Sequence, residues 1–265
     1  MTSKSAAENL ESARRTNGQF GHQYRNEPVV DGLAAIPPTL IRPDGTQEWW
    51  VNGVRHRVDG PAVICPDGSE EWFVDGKRHR VDGPAIIRPD GTQDWWVNGE
   101  RHRVDGPALI RPDGTEMWFL EGDRHRADGP ATIRPDGTEE WHLRGKYHRL
   151  GGPAVIRANG TQEWLVEGVH HREDGPAITL SSGLQEWLVR GKLHRVDGPA
   201  MTWPDGSEEW YRHDVLHRID GPARYDATND TCEWWENGVR KTPEVEEKLT
   251  AMWHRGVPID LTRHG

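Results

Sequence analysis

Three features of the sequence predict an all-β fold built from antiparallel hairpins. A 23-residue unit recurs eight times in phase, starting at Arg42, Cys65, Arg88, Arg111, Arg134, Arg157, Leu180 and Trp203, with an imperfect ninth copy near Asp226. Gly and Pro, 30 and 19 of 265 residues, mark frequent turns. The 14 Trp stand against 4 Tyr and 3 Phe, so one aromatic is placed by rule instead of being mixed through an ordinary core.

Residues 1–38 precede the repeats. Ser5 and Glu8 fit a capping box and predict a short helix, followed by a flexible arm over 16–38. Residues 39–241 carry the repeats. In the first copy Pro43-Asp44-Gly45 is a turn, with Pro fixing φ and Gly taking the left-handed position. Alternation then sends Gln47, Trp49 and Val51 to one side and Glu48 and Trp50 to the other. Asn52-Gly53 is a type I′ hairpin dipeptide, a slot also held by Asp75-Gly76, Asn98-Gly99, Glu121-Gly122 and Arg144-Gly145. Asp59-Gly60-Pro61 is a third break. Each unit therefore reads as a hairpin plus a linking extended segment, with strands of about five residues in a meander of about 16 to 18 strands. Such an array advances as an elongated twisted single sheet or coils as a β-solenoid. A small β-propeller is the alternative, because two repeats approach the length of a four-stranded blade. In residues 242–265, Thr242 as cap and Pro243 in the first turn open a helix. Val245, Leu249 and Met252 share one of its faces, with Trp253 beside them and Gly256 as a stop. That helix would cover the open edge of the last strand.

Two ladders run through the repeats. Trp49, Trp72, Trp95, Trp118, Trp141, Trp164, Trp187 and Trp210 occupy one slot, continued by Trp234. Beside the Ala62 and Ile64 slots, they predict an indole layer that forms the core. The next slot holds Trp50, Phe73, Trp96, Phe119, His142, Leu165, Leu188, Tyr211 and Trp235. Its aromatic members, Trp50, Phe73, Trp96, Phe119, Tyr211 and Trp235, predict a partner-binding row, against the alternative that they shield the second sheet face. The second ladder is His56, His79, His102, His125, His148, His171, His194 and His217, each inside a His-Arg-x-Asp string except where Gly151 replaces the Asp. His and Asp can bind metal or act as an acid–base pair. An enzyme needs one such site and not a ladder, so these residues are expected to be structural, with Arg57-type guanidinium groups bridging to Asp59-type or Glu48-type carboxylates. No catalytic residue, metal or cofactor is expected. The Pro-Asp-Gly-Thr string lacks calcium-loop spacing, and no phosphate-binding loop or nucleophile turn is present.

The charge balance of 33 basic and 43 acidic side chains, net −10, argues against a direct nucleic-acid binder. A regular row of acidic groups leaves a DNA mimic as a lesser reading. Cys65 and Cys232 cannot form a disulfide framework. No apolar run suits a membrane helix or a secretion signal, which predicts a cytoplasmic protein without membrane insertion.

At Trp-Val-Asn-Gly-Val-Arg-His, residues 50–56, followed by Asp-Gly-Pro-Ala and Pro-Asp-Gly-Thr, the chain resembles the MORN repeat family. Trp50, Asn52, Gly53, His56 and Asp44-Gly45 match its pattern, whereas Glu48, Arg57 and Asp59 stand where that family has Gly. The sequence looks like a divergent bacterial variant of the type found in antitoxin and immunity proteins and in phage genes. The resemblance implies an antiparallel hairpin sheet without catalysis that acts as a scaffold or partner-binding surface. Some members are linked to phospholipids, which a −10 chain would disfavour on an anionic bilayer. The expected function is a non-enzymatic scaffold that binds a partner protein along its sheet, neutralising a toxin or host enzyme. The alternative is a module for small ligands such as glycan, choline or nucleotide.

Overall fold

The computed structural model describes residues 37–261, so the helix expected near Ser5 and the arm after it lie outside the described residues. The main sheet has 18 strands. Leu40–Ile41 pairs with Gln47–Glu48, which pairs with Val63–Ile64, which pairs with Glu70–Glu71, all antiparallel. The same step repeats to Arg224–Asp226 against Thr231–Glu233. Among the described residues no pairing joins the first strand to the last, so the sheet is an open meander and the propeller is set aside.

The five-residue strand expected over 47–51 is two short strands, Gln47–Glu48 and Trp50–Val51, separated at Trp49. The hydrogen bonds give the reason. The Trp49 N–H donates to the Ala62 carbonyl at 2.9 Å, and the Trp49 carbonyl accepts from the His56 N–H at 3.0 Å. The chain thus changes partners at the indole-bearing residue. Trp50–Val51 then pairs with Val54–Arg55 around the Asn52-Gly53 turn, whose φ values of 48° and 80° are the positive pair that a type I′ turn needs. Nine such two-stranded hairpins occur among the described residues. They are tied in series: the Arg57 N–H reaches the Phe73 carbonyl and the Gly76 N–H reaches the Arg55 carbonyl, both at 2.9 Å. Each repeat therefore adds two strands to the main sheet and one hairpin to a second ribbon beside it.

The Pro-Asp-Gly-Thr turns close the main-sheet hairpins. The Asp44 carboxylate accepts the Thr46 N–H at 2.8 Å, and that hydrogen bond holds its carboxyl below the usual range. The Ala62 slot closes the other end. Ala62, Ala85, Ala108, Ala131, Ala154, Ala177, Ala200 and Ala223 are all completely buried. The Ala62 N–H also bonds the Glu71 carbonyl at 2.8 Å, so this residue is held by strands on both sides.

The expected C-terminal helix is present as Pro243–His254. Thr242 is its N-cap through the backbone alone, because its carbonyl accepts the Val245 and Glu246 N–H groups while its side chain makes no cap bond. Gly256, at φ 70°, follows the helix end. Leu249 is buried with Trp234, Ile259 and Leu261, and Val245, Met252 and Trp253 pack against them. The helix lies against the edge strand Thr231–Glu233. The Trp234 indole N–H donates to Thr250 Oγ1 at 2.9 Å.

Candidate binding surfaces

One side of the main sheet buries charge. Register sets Glu48 against Val63, Asp94 against Leu109 and Glu140 against Val155, so carboxylates alternate with aliphatic groups. A buried carboxylate needs partners, and Glu48 has three. Arg42 and Arg55 reach Oε1 at 3.0 and 2.8 Å, and the Trp50 indole N–H reaches Oε2 at 2.9 Å. Burial pushes the Glu48 carboxyl up, but those hydrogen bonds outweigh it and hold it below its ordinary value. The Arg55 slot also stacks between successive rings. Arg55 lies 5.7 Å from Trp50 and 5.4 Å from Phe73, Arg78 lies 5.6 Å from Phe73 and 5.5 Å from Trp96, and Arg101 lies 5.1 Å from Trp96 and 5.4 Å from Phe119. Further along, this ladder gives way to a His142–Tyr147 ring contact at 4.2 Å and to Leu188 opposite Leu193.

The Trp49 slot lies on the other side. The Trp210 indole N–H reaches Glu208, two residues earlier, whereas those of Trp50 and Trp235 reach Glu48 and Glu233. The eight indoles from Trp49 to Trp210 are each roofed by the arginine that follows the ladder histidine of their own repeat, whereas Trp234 is covered by the C-terminal helix. Arg57 lies 4.1 Å from the Trp49 ring, Arg126 lies 4.2 Å from Trp118, and Arg149 lies 3.8 Å from Trp141. The remaining bonds explain the Asp-Gly-Pro-Ala motif. Arg57 Nε donates to Asp59 and Nη1 donates to the Pro61 carbonyl, at 2.9 and 3.2 Å. A Cβ on Gly60 would stand 2.9 Å from the guanidinium carbon, so glycine leaves room for the roof. The repeat that carries Gly151 lacks the Asp, yet Arg149 still donates to the Pro153 carbonyl at 3.1 Å. The ring, the carbonyl and the glycine hold the guanidinium without the carboxylate.

A double-mutant cycle tests this clamp. A Cβ on Gly129 would meet the Arg126 guanidinium at 2.8 Å. The methyl can be accommodated only by displacing that group from Trp118. Gly129→Ala and Arg126→Ala are each expected to cost about 1–2 kcal/mol, the scale of a cation–π contact plus a charged hydrogen bond. The double variant should be no worse than the poorer single one. Additive losses in urea unfolding would show that the glycine serves something else.

The histidine ladder joins repeats. In His102 and His125 the ring Nδ1 accepts the backbone N–H of the first turn residue of the next copy, Glu121 and Arg144, both at 3.2 Å. His56, His79, His148, His171 and His217 make the same bond to Asp75, Asn98, Glu167, Arg190 and Asn237. His194 departs from the pattern. Asp214 replaces glycine in the next turn, and the His194 ring stacks on His213 at 4.0 Å with Nδ1 buried and unpartnered. Among the described residues no three His, Cys, Asp or Glu side chains gather where an ion could sit. Burial pushes the Cys65 thiol up and the Cys232 thiol up to about 11, which keeps both protonated at neutral pH.

The face assignment is corrected by these placements. The expected partner-binding row is largely interior: Phe73 and Phe119 are only 7% and 8% exposed. Trp50, Trp96, Tyr211 and Trp235 are half-buried. Trp50 is bonded to Glu48, and the Tyr211 hydroxyl donates to Glu209 at 2.7 Å, with burial the main cause that pushes its pKa up to about 12. In the Trp49 slot only Trp49 and Trp234 are fully buried, the rest being half-buried beneath arginine. Both slots thus contribute to the interior. Alternation separated the two sides, but it could not say which side the second ribbon covers.

A row absent from the sequence reading lies in the open. It is the variable position of His-Arg-x-Asp, occupied by Val58, Val81, Val104, Ala127, Leu150, Glu173, Val196 and Ile219. Val81, Val104 and Leu150 are 64%, 68% and 78% exposed. The recurrence of aliphatic residues inside a polar turn string was the available signal.

These features define an open β-hairpin repeat protein with a carboxylate–guanidinium interior on one side and arginine-roofed indoles on the other. No protein-family model matches the chain, and no curated protein is similar to it in sequence. Among the described residues no helix is long and apolar enough to cross a membrane.

Proposed function

We propose that the protein is a non-enzymatic repeat scaffold that binds a partner protein along its array, in the manner of an immunity protein, an antitoxin or a phage-encoded inhibitor in the cytoplasm. The observation that carries this reading is the exposed aliphatic row. Val58, Val81, Val104, Leu150, Val196 and Ile219 each stand beside an aspartate or glycine at the same place in their repeats, and all are exposed. Folding gains little from an aliphatic group in water, whereas a regular apolar row suits a partner laid along the repeats. The MORN-like motif residues, Trp50, Asn52, Gly53 and His56, add a likeness to scaffold proteins. A row of this kind engages many weak points at once and needs no reactive side chain.

The test is a triple variant, Val81→Ser, Val104→Ser and Leu150→Ser, in the full chain. Its unfolding midpoint should stay within a few tenths of a kcal/mol of wild type, as exposed substitutions do. Affinity capture from the producing cells should recover a protein with wild type and lose it with the variant. Equal recovery of every partner by both proteins removes the row from the interface.

A further inference from the structure

The repeat units share a charge rule, and two of them break it at the same place. Where the first residue of a unit is arginine, it pairs with the carboxylate six residues later: Arg42 with Glu48 at 3.0 Å, Arg134 with Glu140 at 2.9 Å and Arg157 with Glu163 at 2.7 Å. In the unit that starts at Arg88 the acidic position is Asp94, one methylene shorter. Asp94 is held by Arg101 at 3.1 Å. In the unit that starts at Arg111 the position is Met117, and that unit's Arg124 turns instead to Glu140 of the next copy at 3.2 Å. Among the described residues neither Arg88 nor Arg111 has an ion pair. The shortened side chain leaves a third donor without an acceptor. The Trp50 indole N–H bonds Glu48, but the equivalent Trp96 Nε1 is buried and unpartnered.

The two arginines stand in adjacent units and line one cleft of about 380 Å³ with Arg101 and three carboxylates, Asp90, Asp94 and Asp113; Asp90 and Asp113 sit in the turns, where each accepts a backbone N–H, of Thr92 and of Thr115. One strand, Gln93–Asp94, lies between the strands that precede them, two inter-strand steps or roughly 9–10 Å at the sheet. Elsewhere in the chain this arginine slot receives a carboxylate, and a guanidinium fork matches that group in shape as well as charge. We propose that the cleft binds a carboxylate-bearing ligand, with Arg88 and Arg111 supplying the contacts that Glu48 and Glu140 receive from Arg42 and Arg134. Two sources share this chemistry: a small free di- or tricarboxylate, and the acidic side chains of a partner protein. A chain of net charge −10 repels anions at long range, so saturable binding must come from a local site. This site does not depend on the exposed aliphatic row.

The experiment is calorimetric titration of the full chain, at fixed ionic strength, with succinate, with citrate and with a blocked tetraglutamate peptide. Saturable binding of at least one probe is expected. It should weaken at least tenfold in the Arg88→Gln/Arg111→Gln variant and be unchanged in Arg134→Gln, whose guanidinium is already paired inside the chain. Asp94→Glu and Met117→Glu restore the internal carboxylates and should also weaken it. Because Arg88 and Arg111 are exposed, their replacement leaves the fold intact even where the buried Met117→Glu variant fails to fold. Binding of succinate or citrate identifies a free ligand, and binding of the peptide alone identifies a partner's side chains. No saturable binding by any probe, or equal binding by wild type and the Arg88→Gln/Arg111→Gln variant, overturns the proposal.

Discussion

Trp95→Ala is expected to lower the unfolding free energy by about 3–5 kcal/mol, the range for a large aromatic cut to alanine in a packed site. Trp95 packs against Ala108, Leu109, Met117 and Phe119. Arg103 roofs it at 4.2 Å. Its backbone joins the Ala108 carbonyl at 2.7 Å and the His102 N–H at 3.1 Å. Truncation would leave a void under a guanidinium that then has no ring to stack on. The position also matters. In a linear array each unit leans only on its neighbours, so a weak unit in the interior uncouples the copies on either side. Urea unfolding should show a lower midpoint and a shallower, less cooperative transition. Trp95→Phe keeps a ring beneath Arg103 and should recover at least half of the loss. A cost below about 1 kcal/mol for Trp95→Ala would mean that the indoles are ornaments on a sheet held by its backbone.

Acidification is expected to produce the second large effect, in two stages. Burial is the main cause that lowers the His125, His142, His194 and His217 pKa values below the ordinary value near 6.5. The folded chain therefore binds these protons less readily than the unfolded chain does. Their contribution to stability is complete above about pH 6.5 and is lost as the pH falls through the depressed folded values. The geometry gives the same sign for His125 and His217, where Nδ1 accepts a backbone N–H that a protonated ring could not accept. A second loss begins near pH 4.5, where the unfolded chain starts to bind protons at its glutamates, and grows until buried Glu48 and half-buried Glu163, whose folded pKa values are lowered, are themselves protonated and release their arginines. Thermal melts at constant ionic strength should show a falling midpoint between pH 7 and 5 and a steeper fall below pH 4.5. A midpoint that stays flat from pH 7.5 to 5 would show that the ladder's hydrogen bonds contribute nothing.

Much of this molecule was legible before any coordinates. The turn dipeptides set the hairpins, and Asn52-Gly53 has the backbone its residue types require. The spacing of Val245, Leu249 and Met252 placed the C-terminal helix on the last strand. Alternation put Glu48 with Trp50 and apart from Trp49, as the indole hydrogen bonds show. The break at Trp49 was not legible, because a run of strand-forming residues looks the same whether it keeps one partner or changes to another.

The sequence by itself determined the unit, its turns and its tandem repetition, since these depend on local backbone preferences and on a fixed period, whereas the choice between an open array and a closed propeller was made by the strand pairing. Only the tertiary structure decided what each side chain meets. Trp50 and Arg55, both on the second ribbon, bond Glu48 of the main sheet, and this turns the Trp50-slot side chains toward the sheet. The roof over Trp49 arises because Gly60 and the Pro61 carbonyl bring the Arg57 guanidinium back onto its own repeat. Arg88 is left unpaired where Asp94, one methylene shorter than glutamate, is held by Arg101, and Arg111 where Met117 offers no carboxylate. Periodicity specifies positions along a chain. Burial and ion pairing depend on distances between strands, which the period alone does not contain.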